Sequence, residues 1–386
     1  MNILLVSHEL SVTGAPKVLL WMSKYLSDCG HKVDLWTIDG GNLQDEYEKI
    51  NIIPKFIKNN KRLIYNEFKK HVKRYDLVIC NTIITQKFVD VFVDFKVPVV
   101  WYIHESGYLE DVISTNDELA HTIKNFYNIY TVSEYAKNII NKYNSNVRII
   151  PNSVDDTFSG FGNPRAKVSF GYIGQISMLK GVDILVNSFI KLSKKYKDIE
   201  LYLAGNNNTE LGEKYRKITK TIPNVKWLGE VRNQDKENFW DHINVLCAPS
   251  VYDSCSLSVL EGAMKGKVII TTDTNGANYV IKNSSNGFII PSQNEVELYM
   301  RMEELVKKST DIAFMQKKSR EMYLQYASVK IQEQAVDKML EDNRENYPAV
   351  DTVKKHLLGG FLYKMQTKKH NIYCLGPLAI KIRKRK

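Results

Sequence analysis

Short apolar runs alternate with amphipathic stretches along most of this chain. Residues 2–7 form a continuous apolar run, the pattern of a parallel strand buried on both faces. Thr13-Gly14-Ala15-Pro16 follows, with proline in the first turn of a helix, where its missing N–H costs nothing. The helix extends to about residue 29 and stops at Gly30, and residues 31–38 read as the next strand. Strand, glycine-containing turn, helix and strand make a dinucleotide-type βαβ unit. No Gly-x-Gly-x-x-Gly is present, which points away from a nicotinamide enzyme. A helix over about 62–73 precedes a strand over 76–81. Further strands cover 97–103, ending in His104-Glu105, then 128–132, ending at Ser133, and 147–150, ending at Pro151-Asn152.

The pattern then restarts. Residues 168–174 form a strand, 175–180 a loop and 181–196 an amphipathic helix with Val182, Leu185, Phe189 and Leu192 on one face. Strands are expected over 199–205, 225–229, 244–248 and 267–272, and helices over about 295–308, 312–325 and 329–342. Residues 151–167, with Pro151, Gly160, Gly162, Asn163 and Pro164, make the best interdomain linker. No repeat of solenoid period is visible. The resulting division is 1–160, 161–325, 326–345 and 346–386. In open α/β sheets ligands sit outside the C-terminal ends of the strands, where His8, His104, Glu105 and Ser133 all fall. Each of these is open to a structural or a ligand-lining reading.

Length and composition change this picture little: 386 residues suffice for two domains, and 44% hydrophobic with 25% charged residues is ordinary for a globular chain. No apolar run has the length of a transmembrane helix, and Met1-Asn2 leads into a strand rather than a signal peptide. Five cysteines without a Cys-x-x-Cys pair suggest reduced structural thiols in the cytoplasm. Charge is more informative. Nearly all of the net +11 resides in residues 352–386, which hold ten Lys or Arg and no Asp or Glu, leaving 44 basic against 43 acidic residues, or +1, elsewhere. A near-neutral body argues against nucleic acid, whereas a basic tail suggests an anionic surface.

Candidate chemistry concentrates between residues 249 and 291. After the buried strand 244–248, a loop carries Asp253 among small polar residues. Leu257, Leu260 and Met264 then recur at helical spacing until Gly266 stops the helix. Asp253 therefore lies in the loop and Glu261 one to two turns into the helix. Between them is a helix N-terminus with free backbone N–H groups, a ready anion site. A carboxylate for hydroxyls beside a dipole for phosphate suits a nucleotide sugar; a plain cap with a solvated glutamate fits the spacing as well.

Asp253 and Glu261 are separated by seven residues. With Pro249-Ser250 before them and Ser285-Asn286-Gly287-Phe288-Ile289-Ile290-Pro291 after, this region resembles the Glu-x7-Glu element of retaining glycosyltransferases of the GT-B fold, family 4. Gly171-Tyr172-Ile173-Gly174-Gln175 with Lys180-Gly181 is similar to the same family's Gly-Arg…Lys-Gly element. The resemblance covers roughly residues 1–343 and is most specific at 168–181 and 249–291. This chain departs from the pattern at four places: Asp253 for the first Glu, Ser256 for a Gly, Tyr279 for the Glu of a later Gly-Gly-x-x-Glu, and Gln175 for an Arg.

The resemblance implies an α/β chain of the GT-B class: two Rossmann-like domains with parallel sheets facing a central cleft, and a helix over 326–345 returning to the first. It implies transfer of a sugar from a nucleoside diphosphate sugar, a UDP-sugar by preference, to a glycan or lipid-linked hydroxyl with retention of configuration, in bacterial surface polysaccharide synthesis. His104 and Asp253 would be the catalytic positions, His104 lining the sugar site and Asp253 holding sugar hydroxyls. Gly14, Gly174, Gln175, Lys180, Val231, Leu257, Ser258 and Glu261 would bind the donor. Lys180 and the amides near Leu257 and Ser258 would stabilise the diphosphate, Glu261 would hold the ribose and Val231 would border the base. His8 would line the acceptor side. The donor is a substrate, so no cofactor is implied, and no metal is required. Outside the resemblance, the interleaved Leu357, Phe361, Leu362, Lys364, Lys368, Lys369 and Tyr373 of the basic amphipathic tail suit the inner face of an anionic membrane. The other reading of the tail is an extra docked helix. For the whole chain, a non-catalytic GT-B partner subunit is the alternative, and a GT-B epimerase a third.

Overall fold

The structure is a computed structural model describing residues 1–95, 97–161, 167–308 and 311–345, and beyond them the strand segments 355–357, 362–366, 370–375 and 378–383. The first half contributes β1 (Asn2–Ser7), β2 (Lys32–Thr37), β3 (Lys55–Phe56), β4 (Leu77–Asn81), β5 (Val99–Ile103), β6 (Ile129–Thr131) and β7 (Val147–Ile149). Its helices are α1 (Gly14–Asp28), α2 (Gln44–Lys49), α3 (Lys61–His71), α4 (Gln86–Phe92), α5 (Leu109–Thr115), α6 (Asp117–Asn125) and α7 (Glu134–Ile140). The sheet order is β3-β2-β1-β4-β5-β6-β7. The central place of β1 explains its apolar run: it pairs in parallel with β2 and with β4, and Ile3, Leu4, Leu5 and Val6 are fully buried.

The second half contributes β8 (Val168–Ile173), α8 (Val182–Lys195), β9 (Ile199–Ala204), α9 (Glu210–Thr219), β10 (Val225–Gly229) and α10 (Gln234–His242). Then come β11 (Val245–Ala248), α11 (Leu257–Met264), β12 (Val268–Thr272), β13 (Gly287–Ile290), α12 (Glu295–Lys307), α13 (Ile312–Tyr326) and α14 (Val329–Glu345). The parallel order is β10-β9-β8-β11-β12-β13. The apolar stripe of α8 is buried as expected: Val182, Leu185, Phe189 and Leu192 join Phe170, Leu201 and Leu203 of the sheet and Leu298, Met302 and Leu305 of α12 in one core. Each sheet is thus a parallel, Rossmann-like α/β sheet of the kind that the resemblance to the GT-B class implied. In each sheet the order reverses once, between β1 and β4 and between β8 and β11, a topological switch point where a crevice opens outside the strand ends.

The chain divides into two compact units, one of residues 1–104, 116–130 and 336–386 and one of 105–115 and 131–335, with the last boundary inside α14. In the first unit Tyr25 donates to Asp337 at 2.8 Å and Asn128 donates to Asn343 at 2.8 Å. In the second, the stretch read as a linker is tied down. Ser153 donates twice to Gln332 Oε1, at 2.9 and 2.6 Å, Tyr323 donates to the Val154 carbonyl at 2.7 Å, and Arg320 pairs with Asp156. Gly162, Asn163 and Pro164 lie outside the described residues. The tail carries four antiparallel strands, β14 (Lys355–Leu357), β15 (Leu362–Gln366), β16 (His370–Leu375) and β17 (Leu378–Arg383), in sequential order. In these described segments, runs such as Ile372-Tyr373-Cys374 and Ile380-Lys381-Ile382 favour extended backbone. Phe361, Lys368 and Lys369 lie outside the described residues.

Candidate functional site

The loops that leave β8 and β11 emerge side by side, because these strands are neighbours at the switch point. This brings together residues 73 positions apart. Lys180 Nζ donates to Asp253 Oδ2 at 2.6 Å, and the Val251 amide donates to the Leu179 carbonyl at 2.8 Å. Gly181 makes the approach feasible. Its φ is +68°, and a Cβ there would lie 2.0 Å from the Pro249 carbonyl oxygen. Both charges are partly buried, with Lys180 28% and Asp253 15% exposed. A lysine so placed can make a charge-assisted contact to an anion.

The N-cap of α11 is Ser256, in extended conformation and without a side-chain cap bond. Its hydroxyl instead faces Ser258 Oγ at 3.0 Å. Among the described residues no group accepts from the Leu257 and Ser258 amides, so the first turn presents two free donors and the positive end of the helix dipole. Glu261 follows one turn later and is 21% exposed. Its Oε1 accepts from Lys236 Nζ of α10 at 2.7 Å.

The Asp253 loop is clamped from several sides within its unit. The Asp253 amide donates to the Thr274 carbonyl at 3.1 Å, and the Gly276 amide donates to the Asp253 carbonyl at 2.8 Å. A Cβ at Gly276 would lie 1.8 Å from the Ser254 carbonyl oxygen and 2.3 Å from Ser133 Oγ, so only glycine fits. Ser133 donates to the Ser254 carbonyl at 2.6 Å, and the Ser106 and Ser254 hydroxyls are 2.9 Å apart. The Tyr252 ring lies so close to Gly107 that a Cβ there would fall 2.0 Å from it. Cys255 is buried behind the loop, and burial pushes its thiol up to about 12, which leaves it protonated and unreactive. Tyr279, at the departure from the family pattern, donates to the Asn152 carbonyl at 3.2 Å.

In the first unit the same topology brings the loops after β1 and β4 together, and His8 Nδ1 lies 3.3 Å from Thr82 Oγ1. Ser11 donates to Glu9 and lies 2.8 Å from the Thr13 hydroxyl, just before the exposed Gly14. His104 follows β5, is buried, and stacks obliquely on Tyr102 with ring centres 4.2 Å apart. Burial, helped by the nearby His8, pulls its pKa down to about 3, so the imidazole is neutral at ordinary pH.

Of the donor-side residues read from the sequence, the second unit gathers Lys180, Asp253, Leu257, Ser258 and Glu261 around the β8–β11 switch point. Gly174 and Gln175 begin the same loop, with the exposed Gln175 lending its carbonyl to the Tyr172 hydroxyl at 2.6 Å. Val231 stands after β10, beside an Arg232–Glu230 pair at 3.2 Å. Gly14 and His104 belong to the first unit. The residues missed were Lys236, Ser106 and Gly276. A faint trace of Lys236 exists in the order Lys236-Glu237 against Glu261 and Lys265, but only known helix packing makes it legible.

Comparison with known proteins bears on the family and the fold. Residues 1–155 match the family description "Glycosyl-transferase family 4" and residues 167–308 match "Glycosyl transferases group 1". The chain belongs to this family of GT-B glycosyltransferases. It is 25% identical over 164 residues to an uncharacterized glycosyltransferase of Haemophilus influenzae, covering 42% of this chain and 46% of that one. Over 138 residues it is 27% identical to the capsular polysaccharide biosynthesis glycosyltransferase CapM of Staphylococcus aureus, covering 35% of this chain and 36% of CapM. The chain thus spans less than half the length of these two relatives. Among solved structures, HepE of Anabaena in complex with UDP superposes with a TM-score of 0.76 at 16% identity, covering 89% of this chain and all of HepE.

Proposed function

We propose that this chain transfers a sugar from a nucleoside diphosphate sugar, with UDP as the favoured nucleotide, to a hydroxyl of a glycan or lipid-linked acceptor, with retention at the anomeric carbon. The observation that carries this reading is the second-unit site itself: two carboxylates, each with its own lysine, flanking two free amides at a helix start. A departing diphosphate needs positive groups and no covalent chemistry from the protein, so preorganised electrostatics can supply much of the rate. Lys180 and the Leu257 and Ser258 amides take that role, with the family's Arg replaced by a neutral glutamine. Diphosphate binding competes with Asp253 for Lys180 and frees Asp253 for sugar hydroxyls. Glu261 takes the ribose, and Val231 borders the base. The neutral imidazole of His104 suits a hydrogen bond to an uncharged sugar hydroxyl. No cofactor and no metal are needed for these roles.

HepE, also solved with UDP-glucose, and CapM, a capsular polysaccharide enzyme, support the donor class and a place in surface polysaccharide synthesis. The test is NMR of the product from a panel of nucleotide sugars and acceptors. Retention of the donor's anomeric configuration is expected, and inversion would overturn the assignment. Donor binding without transfer or hydrolysis would make the chain a non-catalytic partner subunit instead.

No helix among the described residues is long and apolar enough to cross a membrane. We place the chain at the inner membrane face through residues 352–386, whose ten basic and no acidic residues would each contribute about 1 kcal/mol beside anionic lipid. Truncation after Glu345 is expected to abolish salt-sensitive sedimentation with phosphatidylserine liposomes while leaving UDP affinity unchanged. Equal sedimentation of both forms would remove the membrane role.

A further inference from the structure

Two consecutive residues of α10 grip α11 with crossed charges. Lys236 pairs with Glu261 at 2.7 Å, and Glu237 pairs with Lys265, which caps the C-terminal end of α11. Lys265 is 7% exposed and also donates to the Thr157 carbonyl at 2.6 Å, so that end of α11 is anchored in the interior. The Lys236–Glu261 end is different. It is 35% and 21% exposed, faces solvent in part, and lies within a turn of the free Leu257 and Ser258 amides. A partly solvated ion pair of this kind adds little to folding stability, so its placement calls for another account.

The carboxylate geometry supplies one. Helical side chains lean toward the helix N-terminus, so Glu261 reaches back along the first turn of α11. Lys236 engages only Oε1; among the described residues no donor occupies Oε2. One oxygen is therefore held while the other has no protein donor, on a side chain one turn from the free Leu257 and Ser258 amides. The same ammonium counters a second difficulty. An uncompensated carboxylate so near those amides would repel an incoming diphosphate, and in a half-buried site the repulsion is only partly screened.

Resting on the reading of Glu261 as the ribose ligand, we propose that Lys236 is a positioning residue for donor recognition: it fixes the Glu261 carboxylate so that Oε2 accepts from the ribose 2′-hydroxyl, and it neutralises that carboxylate toward the diphosphate. It does not touch the reacting atoms. It also connects the loop after β10 to the ribose carboxylate, because α10 begins directly behind that loop.

The test is calorimetric titration of the full chain with UDP, GDP and ADP and with their 2′-deoxy forms. Wild type is expected to favour one ribonucleotide over its 2′-deoxy form by about tenfold, the usual worth of a charge-assisted hydrogen bond. Lys236→Met keeps the aliphatic stem and is expected to erase most of that preference, weakening the ribonucleotide about tenfold and the 2′-deoxy form much less. Lys236→Arg should restore the preference, and Lys236→Met combined with Glu261→Gln should lose no more of it than either alone. Thermal midpoints should hardly move. Full retention of the preference in Lys236→Met overturns the proposal. So does an equal loss for both nucleotide forms with a lowered thermal midpoint, the mark of a purely structural pair. If wild type binds none of the six ligands, or Glu261→Gln keeps the preference, the ribose role of Glu261 fails and the proposal falls with it. If Glu261→Gln loses the preference and Lys236→Met does not, only the proposal fails.

Discussion

The two switch points are built alike and carry different side chains. In each sheet a central strand feeds a loop that meets the loop from the neighbouring strand across the reversal, β1 with β4 and β8 with β11. At the second, the meeting residues are charged and paired, Lys180 with Asp253, and a further pair, Lys236 with Glu261, stands on the following helix. At the first, the meeting residues are His8 and Thr82, and His104 after the next strand is held neutral by burial. The same backbone topology therefore provides one place with lysines and free helix amides and another with histidines and the Glu9 carboxylate, 3.5 Å from His8 Nε2. Fold fixes where a ligand can sit, and the side chains at the strand ends decide its charge.

The largest effect should come from disrupting the approach that pairs Lys180 with Asp253. Gly181→Ala forces a left-handed conformation on alanine and drives its Cβ into the Pro249 carbonyl. Together these cost about 3 kcal/mol of stability, and UDP binding should fall with it. Urea unfolding and calorimetry measure both. Unchanged values would mean that the two loops can part without consequence. Next, Lys180→Ala should weaken UDP by about 1.5–3 kcal/mol, the range for a hydrogen bond to a charged group, with a thermal midpoint shift much smaller than that of Gly181→Ala. Unaltered affinity would remove Lys180 from the donor site.

The smallest effect separates the first switch point from the second. His104 has its pKa lowered from 6.5 to about 3 in the folded chain. Between these values the unfolded chain binds more protons. The stabilising contribution is therefore complete above about pH 6.5 and is lost as the pH falls toward 3. His104→Gln should flatten the stability profile in that window by up to about 1.4 kcal/mol per pH unit, one proton's worth. Urea midpoints at pH 7 and pH 5 give the slope. A slope equal to that of wild type would show that His104 is hydrated and not held neutral.

Much of this architecture was legible in one dimension. Continuous apolar runs located β1, β4, β5, β8, β9, β11 and β12, because strands buried on both faces are mostly apolar. The stripe of α8 and the helix of Leu257, Leu260 and Met264 followed from a 3.6-residue period. The short elements were not legible. β3 has two residues, and α2, α4, α5 and α7 have six or seven each, too few to show a period. The tail shows the other limit. Its basic and apolar residues gave composition without period, and the strands β14 to β17 depend on pairing between segments rather than on any one of them.

For the site, the sequence by itself determined the residue types and their local setting: Asp253 in a loop, Glu261 on a helix, Lys180 before a glycine, His104 at a strand end. Each depends on interactions within a few positions along the chain, and local propensity records those. Only the tertiary structure decided that Lys180 lies against Asp253, that Lys236 holds one oxygen of Glu261, and that Gly276 must be glycine because Ser133 and Ser254 crowd it. These contacts join residues 73, 25, 143 and 22 positions apart. They arise from strand order and helix packing, and since a side chain's partner across a sheet or a helix pair has no fixed offset in sequence, no periodicity along the chain could have shown them.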